Sequence, residues 1–306
     1  MVSRKTAPAC VVLSGALLGA CGTRAAVDAP EARPELRVSL RPGGLLTAFH
    51  NLPQFSVRTI PIGDSQKRLE ALQDGSIDVT NAVADVTFLA SYGRSPDHSS
   101  RLQKIRGIAL MNRAIVHLLI GPNVDARHGL RGLRVVLGDP AGGNSALGER
   151  LVNSMGVPTS AIHGEFAPYE IAVDKLLKGD VDAVIATAQP PEGPIGRALR
   201  GGAHLMEIKG PDADRLSVHY PLLRRTLLPP GTYPGQDTAL HTVGVDLLLV
   251  CRADLDADLV YRLTRALFEE IPKHARRDLD PHRAPATVIP LHPGAARYYR
   301  EREMQR

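Results

Sequence analysis

The sequence predicts an α/β protein of two similar lobes enclosing a ligand cleft, and three observations predict it. Short apolar runs alternate with helically spaced apolar residues across glycine turns, the pattern of a largely parallel sheet with helices on both faces. One construction recurs: Leu69-x-x-Leu72-x-x-Gly75-x-x-Asp78 and Leu176-Leu177-x-Gly179-x-x-Asp182 each read as an apolar helix, a glycine stop and a short strand opened by aspartate. Late in the chain, Thr242–Val250 is the most continuous apolar run, placed to cross back to the first lobe. With 306 residues, each lobe can bury a real core.

Residues 1–20 read as an export signal: Arg4 and Lys5 form a basic start, and Ala7–Ala20 is small and apolar but too short to span a bilayer comfortably. It ends Leu17-Leu18-Gly19-Ala20-Cys21, which resembles the bacterial lipobox and makes Cys21 the expected lipidation site. The protein is therefore expected in the periplasm or at the cell surface, anchored to a membrane by lipid. Residues 21–35 have a linker's composition. Of the three cysteines, Cys10 lies in the signal and Cys251 in an apolar run, so Cys251 reads as a small core residue and no internal disulfide is expected. The absence of Trp, with five Phe and seven Tyr, argues against an aromatic platform for nucleic acid or sugar. The formal charge is +5, but the basic residues are scattered, and the cluster Arg297, Arg300, Arg302, Arg306 reads as a solvated helix end; no nucleic-acid partner is expected.

Taken in order, Leu36–Leu40 alternates as a first strand and Arg41-Pro42-Gly43-Gly44 follows as a loop. A second strand near Phe55–Ile60 leads to Asp64 or Ser65 as the cap of a helix carrying Leu69 and Leu72, which stops at Gly75. Ile77–Val79 reads as a short strand. A helix with Ala84, Phe88, Leu89 and Tyr92 on one face ends at Gly93, and Ile108–Leu110 and Ile115–Ile120 read as two further strands. The second unit opens near Pro122, with a strand at Val135–Leu137 and a helix carrying Ala146, Leu147, Leu151 and Met155. Ile171–Leu177 is helical, Asp182–Ile185 is a strand, and Ala186–Pro194, with three prolines, is a loop. Residues 221–236 are rich in Pro and Gly. Helices over Asp258–Ile271 and from Pro293 close the chain. The lobes are expected at 36–120 with 243–306, and at 121–242, hinged near Ile120 and Val243.

The chemistry these residues allow is recognition without catalysis. A strand, a glycine turn and a helix around Gly138–Ser145 aim bare backbone N–H groups at an anion, so Gly142, Gly143, Asn144 and Ser145 are candidate ligand residues. The turn nearly matches a nucleotide phosphate loop, but Asn144 replaces the lysine that reaches the phosphates. Ser145 nearly matches a hydrolase elbow, but Leu147 stands where glycine is needed. There is no His-Glu-x-x-His, and the eleven His are dispersed. No catalytic residue, metal or cofactor is expected. Ser65, with Asp64, marks the matching helix start in the first lobe, and Arg41 offers a charge-assisted bond to a carboxylate. Asp85 and Asp139 either receive a ligand ammonium or cap helices, and Gln189, in the proline-rich loop, is the remaining candidate.

Together these stretches resemble the TAXI group of solute-binding proteins from TRAP (tripartite ATP-independent periplasmic) transporters. The resemblance is carried by Leu72-x-x-Gly75-x-x-Asp78-Val79 with Ala84-Asp85-Val86, by Leu137–Ser145, by Pro229-x-Gly231-x-Tyr233, and by Thr242–Val245 running into Leu247-Leu248-Val250. Its most specific part is Pro290-Leu291-His292-Pro293-Gly294-Ala295-Ala296-Arg297-Tyr298-Tyr299-Arg300-Glu301. It implies a type II-like periplasmic-binding-protein fold that closes on one small ligand. It further implies delivery to a membrane permease driven by an ion gradient without ATP, with ligands such as organic acids or amino acids. The C-terminal signature is expected to be structural or permease-facing. Three departures fall in the expected cleft. The glycine-rich segment after the first strand is cut to Arg41–Gly44, a common Gly-Ser-x-x-Asn is Asp64-Ser65-Gln66-Lys67-Arg68, and Ser145 stands where relatives often carry arginine. Arg68 or Arg41 is the expected replacement for the lost charge. The alternative is a ligand-sensing binding protein that presents its ligand-bound form to a membrane receptor.

Overall fold

The computed structural model describes residues 33–41, 43–94, 100–140, 146–272, 274 and 279–304. The signal, Cys21 and the linker through residue 32 lie outside these, as do Gly142, Gly143, Asn144 and Ser145. The chain opens with β1 (Glu35–Ser39), α1 (Gly44–His50), β2 (Ser56–Thr59), α2 (Ser65–Asp74), β3 (Val79–Val83) and α3 (Ala84–Tyr92). A long β4 (Ile105–Ile120) leads to β5 (Arg134–Val136), α4 (Leu147–Ser154), β6 (His163–Glu165), α5 (Tyr169–Lys178) and β7 (Ala183–Ala188). Then come α6 (Gly193–Arg200), β8 (His204–Met206), α7 (Pro211–His219), β9 (Leu223–Leu228), β10 (Leu240–Arg252), α8 (Ala257–Glu269) and α9 (Pro293–Met304).

The strands form one sheet in the order β2-β1-β3-β10-β4-β7-β5-β6, with β8 added on β4 and β9 on β10. It is mixed where a largely parallel sheet was expected. Pairing is parallel within β2-β1-β3 and within β6-β5-β7, but antiparallel wherever β4 or β10 takes part. The reason is topological: β4 carries the chain out of the first lobe and β10 carries it back, so the two run in opposite senses. Up to Ile115, β4 pairs with β10; from Ile115 to Ile120 it pairs with β7. Likewise β10 pairs with β9 over Leu240–Val245 and with β3 over Leu247–Cys251. Two lobes therefore share two continuous strands. Ile108–Leu110 and Ile115–Ile120, expected as two strands, are one, and Arg113 between them meets Asp246 of β10 at 2.9 Å within the ladder.

The repeated motif has a physical role. Gly75 and Gly179 end α2 and α5 in left-handed geometry, φ +83° and +79°, where a side chain is strained. Each following aspartate then clamps the first strand of its own lobe. Asp78 accepts Arg37 N, Nε and Nη2 at 2.8, 3.0 and 2.7 Å. Asp182 accepts Arg134 N, Nε and Nη2 at 2.8, 3.0 and 2.6 Å. The strands β3 and β7 start one residue beyond, so the expected strand at Ile77 begins at Val79 instead.

Other elements depart locally. Helix α3 buries Ala84, Asp85, Thr87 and Ala90, while Tyr92 stays exposed beside Phe88 and beneath the Arg101 guanidinium. Strand β7 continues to Ala188, and Pro194 sits in the first turn of α6, where a missing N–H costs nothing, so the loop expected at 186–194 is shorter. The Pro- and Gly-rich stretch at 221–236 contains β9. Cys251 is fully buried and free, and burial pushes its thiol pKa up, as a core residue requires. The C-terminal signature is packing: a Cβ at Gly294 would stand 2.2 Å from the Ala257 carbonyl oxygen, and Tyr298 and Tyr299 are buried against Phe268.

Two outcomes follow for stability. Asp78 is almost fully buried between Arg37 and Arg252, whereas Asp182 holds a half-exposed arginine. In urea unfolding, Asp78→Ala should therefore cost about 3 kcal/mol and Asp182→Ala about 1 kcal/mol. His117 of β4 is buried against the Tyr233 hydroxyl at 3.1 Å, and burial pushes its pKa down to about 4. As pH falls below about 6.5, the unfolded chain gains a proton that the folded protein refuses, so stability is lost as pH falls. Between pH 7 and 5 the loss from this residue should be about 2 kcal/mol, and it should vanish in His117→Gln.

Candidate ligand site

The parallel strands of both lobes point their C-terminal ends at one cavity, the usual ligand position in α/β folds. The first lobe contributes Arg41, Ser65, Arg68, Asn81 and Val83 to its lining. The second contributes Asp139, Tyr169 and Thr187, and the shared strands lay Ala114 and Leu247 across the floor. The space left between these side chains is about 20 Å³, about the room of one water molecule.

Local structure sets each side chain. Arg41 follows β1, and its N–H donates to Asn81 Oδ1 at 3.4 Å. Asp64 caps α2 by accepting Lys67 N at 3.1 Å, which turns Ser65 and Arg68, three residues apart, onto one face. Arg68 Nη2 donates to Ser65 Oγ at 3.1 Å. Across the cavity, Tyr169 starts α5; its hydroxyl donates to Thr187 O at 3.2 Å and accepts Thr187 N at 2.9 Å.

The electrostatics are one-sided. Arg68 is only 3% exposed; among the described residues its Nε has no hydrogen-bond partner and its Nη2 donates to a neutral hydroxyl. Burial, then the positive charge of Arg41, lowers its pKa to about 10; Asp64 acts in the opposite direction. It remains a cation at neutral pH. On the facing wall, burial raises the pKa of Tyr169, which also feels Arg41 and Asp139. Burial likewise raises that of Glu192, opposed by Arg41 and reinforced by Glu170. The cleft thus has a cationic wall and an opposite wall carrying carboxylates.

Of the residues named from sequence, Arg41, Ser65, Arg68 and Asp139 line the cavity. Asp64 is a cap instead of a lining residue. Asp85 pairs with Arg150 outside the lining, and Gln189 is half-buried with its Nε2 unbonded, also outside it. Among the described residues, no group of His, Cys, Asp or Glu could hold a metal ion. Asn81, Tyr169, Thr187, Ala114 and Leu247 were missed. A signal for Tyr169 existed: it and Ser65 both stand ten residues before the glycine that stops their helix.

A two-lobed α/β fold with its cavity at the strand ends, crossed by two shared strands, is the fold of periplasmic binding proteins. The chain belongs to the NMT1-like family, which matches it over residues 48–302. Among solved structures it is similar to PhnD1 from Prochlorococcus marinus, in complex with methylphosphonate, at 14% identity and a TM-score of 0.52, covering 78% of this chain and 85% of that one. It is also similar to the aliphatic sulphonate binding protein SsuA from Escherichia coli, at 14% identity and a TM-score of 0.46, covering 87% and 82%. An ancestral arginine-binding protein matches at 14% identity and a TM-score of 0.46, covering 80% and 96%. These likenesses concern the fold.

A buried cation bonded only to a hydroxyl weakens the ligand-free protein. Arg68→Met, which keeps the stem and removes the charge, should raise stability by about 1–2 kcal/mol in urea unfolding.

Proposed function

We propose that this protein is an extracytoplasmic solute-binding protein that captures a small organic acid or amino acid and delivers it to a TRAP permease. One observation carries the reading: Arg68 is buried in the cleft wall beside Arg41, with no carboxylate bonded to it among the described residues. A buried cation with a second, exposed cation beside it favours an anion that bridges them, since a charge-assisted pair offsets the desolvation of Arg68. Asp139 on the facing wall suits a ligand that also carries an ammonium group. A carboxylate ligand and the permease partner are drawn from the TAXI resemblance, most of all from the Pro290–Glu301 stretch. In this reading the Leu17–Cys21 stretch anchors the protein to the membrane by lipid at Cys21, and the protein works without catalysis or cofactor.

A thermal-shift screen of organic acids and amino acids at millimolar concentration tests the reading. A true ligand at a hundred times its dissociation constant should stabilise the folded state by about 2.7 kcal/mol. Arg68→Met should lose that response while melting higher without ligand. If no acid shifts the wild-type protein, or if the variant responds as well as the wild type, the anion site is not at Arg68.

A further inference from the structure

Away from the cavity lining, a side-chain contact among the described residues links elements of the two lobes. Asp85, in the first turn of α3, meets Arg150 of α4 at 3.1 Å across 65 residues of sequence. The carboxylate is 5% exposed and the guanidinium 14%. The guanidinium also lies 4.6 Å from the centre of the Tyr220 ring, just past the end of α7. Helix α3 continues directly from β3 and belongs to the first lobe. Helix α4 follows β5 in the second lobe and is fastened to α7 by Arg215 Nε donating to Ser154 O at 2.6 Å. The ion pair therefore joins elements that are otherwise linked through β4 and β10.

The pair has the properties of a contact that holds only while the lobes are together. Both ions are largely out of water and each is the other's counter-charge, so each needs its partner in place. Tyr220 shields one side of Arg150 and adds a cation–π attraction. The shared strands offer a place for a rotation: the β4–β10 register shifts between Asp246 and Leu248 and again between Leu249 and Val250, irregularities of the kind at which a ladder bends. A rotation there would part α3 from α4 and return both charges to solvent.

We infer that Asp85 and Arg150 form an interlobe latch, positioning residues that bias the ligand-free protein toward its closed cleft. The inference rests on the reading that the lobes part to admit a solute. The consequence is quantitative in kind: apparent affinity scales with the closed, binding-competent fraction, so the latch strengthens binding without touching ligand.

Small-angle X-ray scattering of the ligand-free chain tests this, with thermal melting on the same samples. Asp85→Asn and Arg150→Met should each raise the radius of gyration above wild type. Arg150→Lys, which keeps the charge, should stay near wild type. The Asp85→Asn/Arg150→Met double variant should open no further than either single one, because they remove the same contact. Unchanged scattering in both single variants, even with lowered melting temperatures, would overturn the latch and leave a packing contact. Should Asp85→Asn not fold, Tyr220→Leu decides: it keeps both charges, removes the platform and should raise the radius partly, whereas no change rejects the idea. Scattering needs no ligand, so failure of the acid screen and failure of the latch are separate results.

Discussion

Everything in this fold depends on two strands being shared. β4 and β10 belong to both lobes, and their antiparallel pairing is the seam along which the lobes meet. Because the same strands serve both sheets, the parallel strands on either side aim their C-terminal ends at one place. Arg41 and Asn81 arrive there from one side, Thr187 and Asp139 from the other, and Ala114 and Leu247 of the shared strands close the floor. The cavity is the geometric consequence of the seam. The two lobes are built alike, each clamping its first strand with an aspartate from beyond its glycine stop, so one local solution has been used twice around a common centre.

Within that centre, stability and binding pull in opposite directions. Elsewhere the chain pairs its buried charges: Asp78 holds two arginines, and Arg113 lies in the ladder against Asp246. At Arg68 it does not, and the guanidinium is left with a serine hydroxyl and an unbonded Nε. Burial without a counter-charge is tolerated where a ligand completes the arrangement, and the like charge of Arg41 nearby sharpens the demand for one. This is why the site is identified by what its residues lack as much as by what they are.

Much of the fold could be read from sequence because it is written in short-range signals. Asp64 as a cap, Gly75, Gly93 and Gly179 as left-handed stops, and the helices from Leu147 and Pro293 are all local chemistry. What local chemistry hides is pairing at a distance. The single strand β4 read as two because the partner of Arg113 lies 133 positions away, and the antiparallel seam follows from where strands go, which no window of sequence contains. The site shows the same division. Arg41 and Ser65, which line the cavity, each sit at an element's end, a place recognisable in sequence. Asn81 and Thr187 lie inside strands, and only the fold turns them to the cavity. Asp85 was read as a ligand or capping group because its true partner, Arg150, is contributed by another lobe.

The C-terminal signature acquires its meaning from the same seam. Gly107, near the start of β4, accepts His292 N–H at 2.8 Å and donates to Pro290 O at 2.9 Å, a short parallel bridge with Leu291 between. The Tyr299 hydroxyl donates to Ile108 O at 2.9 Å, and the His292 ring is held by Leu255 O and Gly294 N. Helices α8 and α9 pack so closely that only glycine fits at position 294. The motif therefore fastens the first-lobe end of β4 on its backbone, and the β4–β10 register shifts twice, between Asp246 and Leu248 and between Leu249 and Val250. The signature therefore has a structural role, holding the first-lobe end of a shared strand against α9.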